Sequence, residues 1–154
     1  MARAPQMGTE ADDHIRHVVY QTIARTTLVP TAAEVAAEVG LTRKAALESF
    51  QRLRGRRLLA LAPGSGEIVM APPFSAVPTP FRVTVERRAY FANCAWDSLG
   101  VAAAFQRDAD VDASCGCCAE PMSLRVRSGS PVAEPCIVHF AVPAAQWWDD
   151  LVYT

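Results

Sequence analysis

The amino-acid sequence predicts an α+β fold. An N-terminal winged helix-turn-helix-like module leads into a mixed or antiparallel β core that holds a buried helix. Three observations carry that prediction. Three amphipathic segments, two of them with clear caps, run from about residue 12 to residue 55 and end in a hairpin pattern. A proline-rich break follows at residues 72–80. Beyond it, strand-like alternations flank one apolar, alanine-rich segment.

Taken in order, residues 1–11 read as a flexible leader. The stretch DDHIRHVVYQTIARTTLVP sets Ile15, Val18, Val19, Ile23 and Leu28 near helical spacing, with Asp12 and Asp13 at the positive end of the helix. TAAEVAAEVG opens on Thr31 and carries Glu34 three residues later, a capping box, and Gly40 supplies the stop. Thr42 caps a third helix with Ala46, Leu47, Phe50 and Leu53 on one face and Gly55 at its end. The apolar runs LLALAP and EIVMAPP, joined across GSG, predict a β-hairpin. Residues 12–71 therefore form the winged-helix-like module. Pro72, Pro73, Pro78 and Pro80 make residues 72–80 an extended connector.

Residues 81–154 form the second part. FRVTVERR alternates as a strand, and residues 89–105 read as a buried helix. DVDASC and MSLRVRSG predict a strand pair around a cysteine-bearing turn. CIVHFAVP reads as a further strand, and AAQWWDDLVYT as a closing amphipathic helix or turn.

Composition narrows the function classes. The chain has 154 residues, 51% of them hydrophobic, so a disordered tail is excluded. The net charge of −1 implies no global field for nucleic acid or a membrane. No apolar run reaches transmembrane length and the N-terminus shows no apolar signal region, so a cytoplasmic protein with no membrane partner is expected. Five cysteines, an odd number, argue against a disulfide framework and for metal binding, catalysis or burial.

Three residue groups could carry chemistry. Arg43, Lys44, Arg52, Arg54, Arg56 and Arg57 place positive charge on and after the third helix. They fit a DNA recognition helix, and equally a packing module with solvated arginines. Cys115 and Cys118, with Cys136 and His139, spell C-x2-C and C-x2-H, ligand types and spacings that suit tetrahedral zinc. Against zinc stands the strand-like setting of the second pair, because residues three apart on a strand point to opposite faces. Buried structural cysteines and a core histidine are the other reading. Within ANCAWDSLGVAAAF, Cys94 and Asp97 would share one face of a helix. A carboxyl in apolar surroundings holds its proton more tightly, and a cysteine beside it can ligate a soft metal. The pair reads as thiolate plus proton donor, or as a buried cysteine beside an aspartate bonded to backbone.

From about residue 12 to its end, the sequence resembles the organomercurial (alkylmercury) lyases, which cleave carbon–mercury bonds by protonolysis. The segments that carry the resemblance are the winged-helix-like module, APPFSAVPTPFRV, RRAYFANCAWDSLG and VDASCGCCAEPMSLRV. The family's Cys-x-x-Asp falls on Cys94 and Asp97, and a structural cysteine of the family falls on Cys115. The resemblance implies a Cys94 thiolate that captures the organomercurial and a second cysteine that completes a dithiolate. It implies that Asp97 accepts a thiol proton and passes it to carbon. No cofactor is required. Mercury is part of substrate and product, and cellular thiols carry it away; zinc is the alternative use of the Cys/His quartet.

In the family, the second catalytic cysteine opens a late strand after a segment resembling WWDDLVYT. Here the sequence ends at Thr154, so an incomplete C-terminal part is expected, with Cys136, Cys117 or Cys118 as the substitute thiol. Two other functions use the same residues. One is a winged-helix transcription regulator that responds to a soft metal, with DNA as partner. The other is a non-catalytic homologue that binds mercury or another thiophilic metal. The family's own winged-helix-like module does not read DNA, which turns the resemblance toward the lyase.

Overall fold

A computed structural model of the chain describes residues 7–132, 136–140 and 142–148. Within it the chain divides into two compact units, Met1–Ala71 and Pro72–Thr154. Both mix helix with antiparallel strands, giving an α+β protein. Among the described residues no helix is long and apolar enough to cross a membrane.

The first unit holds three helices, α1 (Met7–Thr26), α2 (Ala32–Val39) and α3 (Arg43–Gly55), and a hairpin of β1 (Ala60–Leu61) and β2 (Ile68–Ala71). Helix α1 begins inside the expected leader. No proline interrupts residues 7–11, and Glu10 sits in the first turn, where the helix dipole favours it. Ile15, Val19 and Ile23 recur every fourth residue and are buried, as the periodicity requires. Leu28 does not join them. The helix stops at Thr26, Thr27 turns left-handed (φ 66°), and Leu28 is 69% exposed. The capping box on α2 forms as read: Thr31 accepts from the Glu34 backbone, and the Glu34 carboxylate accepts from the Thr31 backbone N–H at 2.7 Å. Gly40 ends α2 in the left-handed conformation (φ 69°).

Two ties in this unit have no sequence signature. Asp12, expected at the positive end of the first helix, lies inside α1 and is buried. It accepts from the Ser49 hydroxyl at 2.6 Å and from Arg52 at 2.7 and 2.9 Å, which fastens α1 to α3. Burial works to raise its carboxyl. The Arg52 and Ser49 hydrogen bonds and the Arg52 and Arg56 charges outweigh that and hold it below the usual carboxylate value. Glu67, just before β2, accepts from the Ala32 backbone at 2.7 Å and from Arg43 at 2.8 Å, so the hairpin is tied to the starts of α2 and α3.

The second unit contains β3 (Phe74–Ser75), β4 (Arg82–Val85), β5 (Arg88–Phe91), α4 (Ala95–Phe105), β6 (Ala109–Ser114), β7 (Pro121–Arg127), β8 (Ser130–Val132) and a 3₁₀ turn, Ala144–Gln146. Five strands form one sheet in the order β5-β4-β6-β7-β8, antiparallel at each pairing. Val83, Val85, Tyr90, Val111 and Val126 are buried, and α4 packs on β4 and β6 through Val101 and Ala102. Asp110 and Asp112 alternate with Val111 and face outward, and Asp110 pairs with Arg127.

Several expectations in this unit are corrected. FRVTVERR is not one strand, because Glu86 and Arg87 adopt left-handed angles (φ 48° and 71°) and fold it into the β4–β5 hairpin. The helix expected over 89–105 begins only at Ala95, since Arg88–Phe91 are taken into the sheet. The connector 72–80 is partly structured. Phe74 is buried, bridges to Ala92, and stacks on Tyr90 with ring centroids 5.6 Å apart. Residues 136–140 form no strand; among the described residues no strand pairs with them, and Ile137 is 92% exposed. Of the closing segment, Ala144–Gln146 make a single 3₁₀ turn, and residues 149–154 lie outside the described residues.

Candidate active site

The site is built where β5 hands over to α4. Tyr90 anchors the end of β5 by packing among Phe74 and Phe105, at 5.0 Å from the latter. Four residues later Cys94, fully extended (φ −152°, ψ 179°), caps the helix. Its Sγ accepts a hydrogen bond from the Asp97 backbone N–H at 3.4 Å. Asp97 is the third residue of α4. Cys94 and Asp97 thus occupy the two key positions of a capping box, with sulfur where a hydroxyl usually stands. This corrects the expectation that both lie within the helix. Thiol and carboxyl meet through the cap, not along a helical face.

The Asp97 carboxyl is partly buried and accepts from the Asn93 side-chain N–H at 3.0 Å. Burial pushes it above the usual carboxylate value, more than the Asn93 and Cys94 hydrogen bonds pull it down. The Cys94 thiol is also pushed up. Burial is the main cause and the Asp97 charge adds to it, against the backbone N–H groups of Asp97 and Trp96. The resting pair is therefore a protonated thiol beside a carboxyl that takes up a proton readily, an arrangement suited to proton relay.

Asn93 was not foreseen. Its Oδ1 is buried and has no hydrogen-bond partner among the described residues. An acceptor left in that state is ready to receive a proton donor at the site. The sequence signal is an amide next to the cysteine in an apolar run, but a helix starting at residue 89 hid it. Ser98 is buried and bonds back to the Ala95 carbonyl at 2.6 Å, which steadies the first turn of α4.

Beside this cap lies a cavity of about 680 Å³ lined by Phe81, Ala95, Ala113, Cys115, Cys117 and Cys136. His139 also faces it, whereas Cys118 does not. All five cysteines are free thiols. Cys117, Cys118 and Cys136 are exposed, and Cys115 is half-buried on the β6–β7 turn. Cys115 has its thiol lowered, first by the backbone N–H groups of Cys118 and Cys117 and then by the Cys118 side chain. The zinc quartet does not assemble: among the described residues no three His, Cys, Asp or Glu side chains converge on one metal position.

Half of the candidate DNA face is committed elsewhere. Arg43 pairs with Glu67, Arg52 with Asp12 and Arg56 with Asp13, at 2.8, 2.7 and 3.0 Å. Half of the six basic residues on and after the third helix thus serve the unit's own packing, and phosphate contacts would have to compete with those acids.

Comparisons with known proteins bear on the second unit most directly. The alkylmercury lyase family model matches residues 74–154, a span that includes Cys94, Asp97 and the cysteine turn. Among solved structures the chain is similar to the mercury-bound form of MerB2, with a TM-score of 0.62 and 24% identity. That likeness is one of fold. It covers 79% of this chain and 58% of the other, so the chain spans less than two thirds of that protein's length. No curated protein sequence matches it.

Proposed function

The chain belongs to the alkylmercury lyase family, and on that premise we propose that it cleaves carbon–mercury bonds by protonolysis. The observation that carries the reading is the sulfur-capped start of α4. It sets the Cys94 thiol, the Asp97 carboxyl and the Asn93 amide within one turn. Cys94 is the mercury ligand, because mercury is soft and thiolate is the softest ligand a protein offers. As its sulfur binds the metal, the thiol gives its proton to Asp97. The partly buried carboxyl, already inclined to hold a proton, then delivers it to the carbon leaving mercury.

A second thiol completes the dithiolate and drives electron density toward carbon. Of the three candidates, Cys136 and Cys117 line the cavity beside the cap and Cys118 does not, while Cys115 keeps its structural place on the β6–β7 turn. The chemistry needs no cofactor. The substrate is an organomercurial, and small thiols of a reducing cytoplasm take the mercuric product away. Residues 12–71 serve as a winged-helix-like packing module, joined through 72–80 to the lyase-like core at 81–154. The ion pairs of Arg43, Arg52 and Arg56 support packing over DNA reading for that module.

Incubation with methylmercury and excess thiol tests this reading through methane release. Cys94→Ser abolishes the gas, and Asp97→Ala slows it about 10²–10⁴-fold, the usual contribution of a positioned acid. Methane release unaffected by either substitution would contradict the assignment.

A further inference from the structure

Pro78 and Pro80 enclose Thr79 within the connector. The ring of Pro78 fixes its φ, and a residue that precedes proline is confined to extended backbone. Thr79 is thus set in place before its side chain makes any contact. Its hydroxyl accepts from the Phe81 N–H at 3.2 Å and donates to the Ala92 carbonyl at 2.5 Å.

Ala92 is where the sheet hands the chain to the site. It is fully buried, it bridges to Phe74, and its N–H donates to the Phe81 carbonyl at 2.9 Å. Asn93 and Cys94 alone separate it from Ala95, where α4 begins. These two residues form a bend. The bend carries the amide that donates to Asp97 and the thiol that caps the helix. So short a bend takes its shape from its two ends. The far end is held by α4: the Ser98 N–H reaches the Cys94 carbonyl at 3.0 Å, and the Ser98 hydroxyl reaches the Ala95 carbonyl at 2.6 Å. The near end is Ala92, and the side chain bonded to it is Thr79. Phe81 and Ala95 both line the cavity. One hydroxyl therefore ties a wall of the cavity to the backbone that leads into the cap.

We propose that Thr79 is a positioning residue for the reaction, its hydroxyl fixing the Ala92 carbonyl and through it the placement of Asn93 and Cys94 against Asp97. The proposal rests on the lyase reading for the reaction. For the placement it rests on the hydrogen bonds. Thr79 acts through the Ala92 backbone and moves no proton. Without the hydroxyl, the buried Ala92 carbonyl loses a short hydrogen bond, which destabilises the local backbone. The bend then loosens. Cys94 and Asn93 shift against Asp97, and a proton transfer that needs close geometry slows.

Thr79→Val and Thr79→Ser test this. The first keeps the branched shape and removes the hydroxyl, and the second keeps the hydroxyl. Each is read in two ways: methane release from methylmercury with excess thiol, and the rate at which iodoacetamide labels Cys94 without mercury, followed by peptide mass spectrometry. Both are measured well below each variant's melting midpoint, so lost stability alone moves neither. Thr79→Val is expected to slow methane release about tenfold, because small displacements of reacting groups are costly. It is also expected to label Cys94 faster, as the half-buried thiol is uncovered. Thr79→Ser restores both. Should Thr79→Val not fold, Thr79→Ala carries the same expectations. Where the wild type releases methane, a Thr79→Val chain that keeps the wild-type value in either readout overturns the proposal. So does a Thr79→Ser chain as impaired as Thr79→Val. If the wild type releases no hydrocarbon while Cys94 labelling still follows the hydroxyl, the placement stands and the lyase reading falls.

Discussion

Asn93 donates its side-chain N–H to the Asp97 carboxylate at 3.0 Å and holds its own Oδ1 buried without a partner beside it. The donated bond favours the ionised carboxyl, and burial opposes it. Replacing Asn93 with Ala removes the donor, so Asp97 ionises only at higher pH. Because Asp97 must first accept the Cys94 proton, the acidic limb of the pH–rate profile moves upward. Asn93→Asp moves it further, since a second carboxylate repels the first. An unchanged profile in both variants would show that Asn93 does not set the state of Asp97.

Asp97 also leaves a mark on stability. Its folded-state value lies above the ordinary 3.8. Between those two values the folded chain holds a proton that the unfolded chain has released, so stability falls as pH rises through that window. Asp97→Asn is accordingly more heat-stable than wild type at pH 7 while its lyase rate falls steeply. The difference disappears below the ordinary carboxylate range. Thermal melts at neutral and low pH check both parts.

The Asp12 lock has the opposite sign. Its carboxyl is held below the usual value, so its contribution is present at neutral pH and lost as pH falls through the folded value. Asp12→Ala leaves the buried Ser49 hydroxyl unpaired and frees the half-exposed Arg52. The expected cost is about 2 kcal/mol by chemical denaturation at pH 7. A cost below about 0.5 kcal/mol would place the lock among ordinary surface ion pairs.

The capping box on α2 predicts a smaller effect. Thr31→Ala removes the side-chain acceptor for the Glu34 backbone, and Glu34 then has one partner fewer. A loss of about 1 kcal/mol in the denaturation midpoint analysis is expected.

Much of this architecture was legible in local chemistry. Thr31, Glu34, Gly40 and Thr42 announced α2 and α3, because caps act within three or four residues and need no tertiary context. The β4–β5 hairpin was hidden because Glu86 and Arg87 occupy left-handed turn positions usually marked by Asn-Gly. The same blindness misplaced the start of α4: residues 88–91 are apolar enough for either element, and pairing with β4 decided the matter. Cys94 and Asp97 could be named from spacing and resemblance, but not the way they meet, since a cysteine cap has no strong signature. The Asp12 and Glu67 ties span 24 to 40 residues and follow only from packing.

The central claim is that a proton passes from the Cys94–Asp97 pair to a carbon held on mercury. Phenylmercury turnover in D₂O with excess thiol tests it most directly, with benzene followed by mass spectrometry. The wild-type chain is expected to release benzene carrying one deuterium, and Cys94→Ser to release none. Absence of benzene from the wild type, or equal release from Cys94→Ser, would contradict the account.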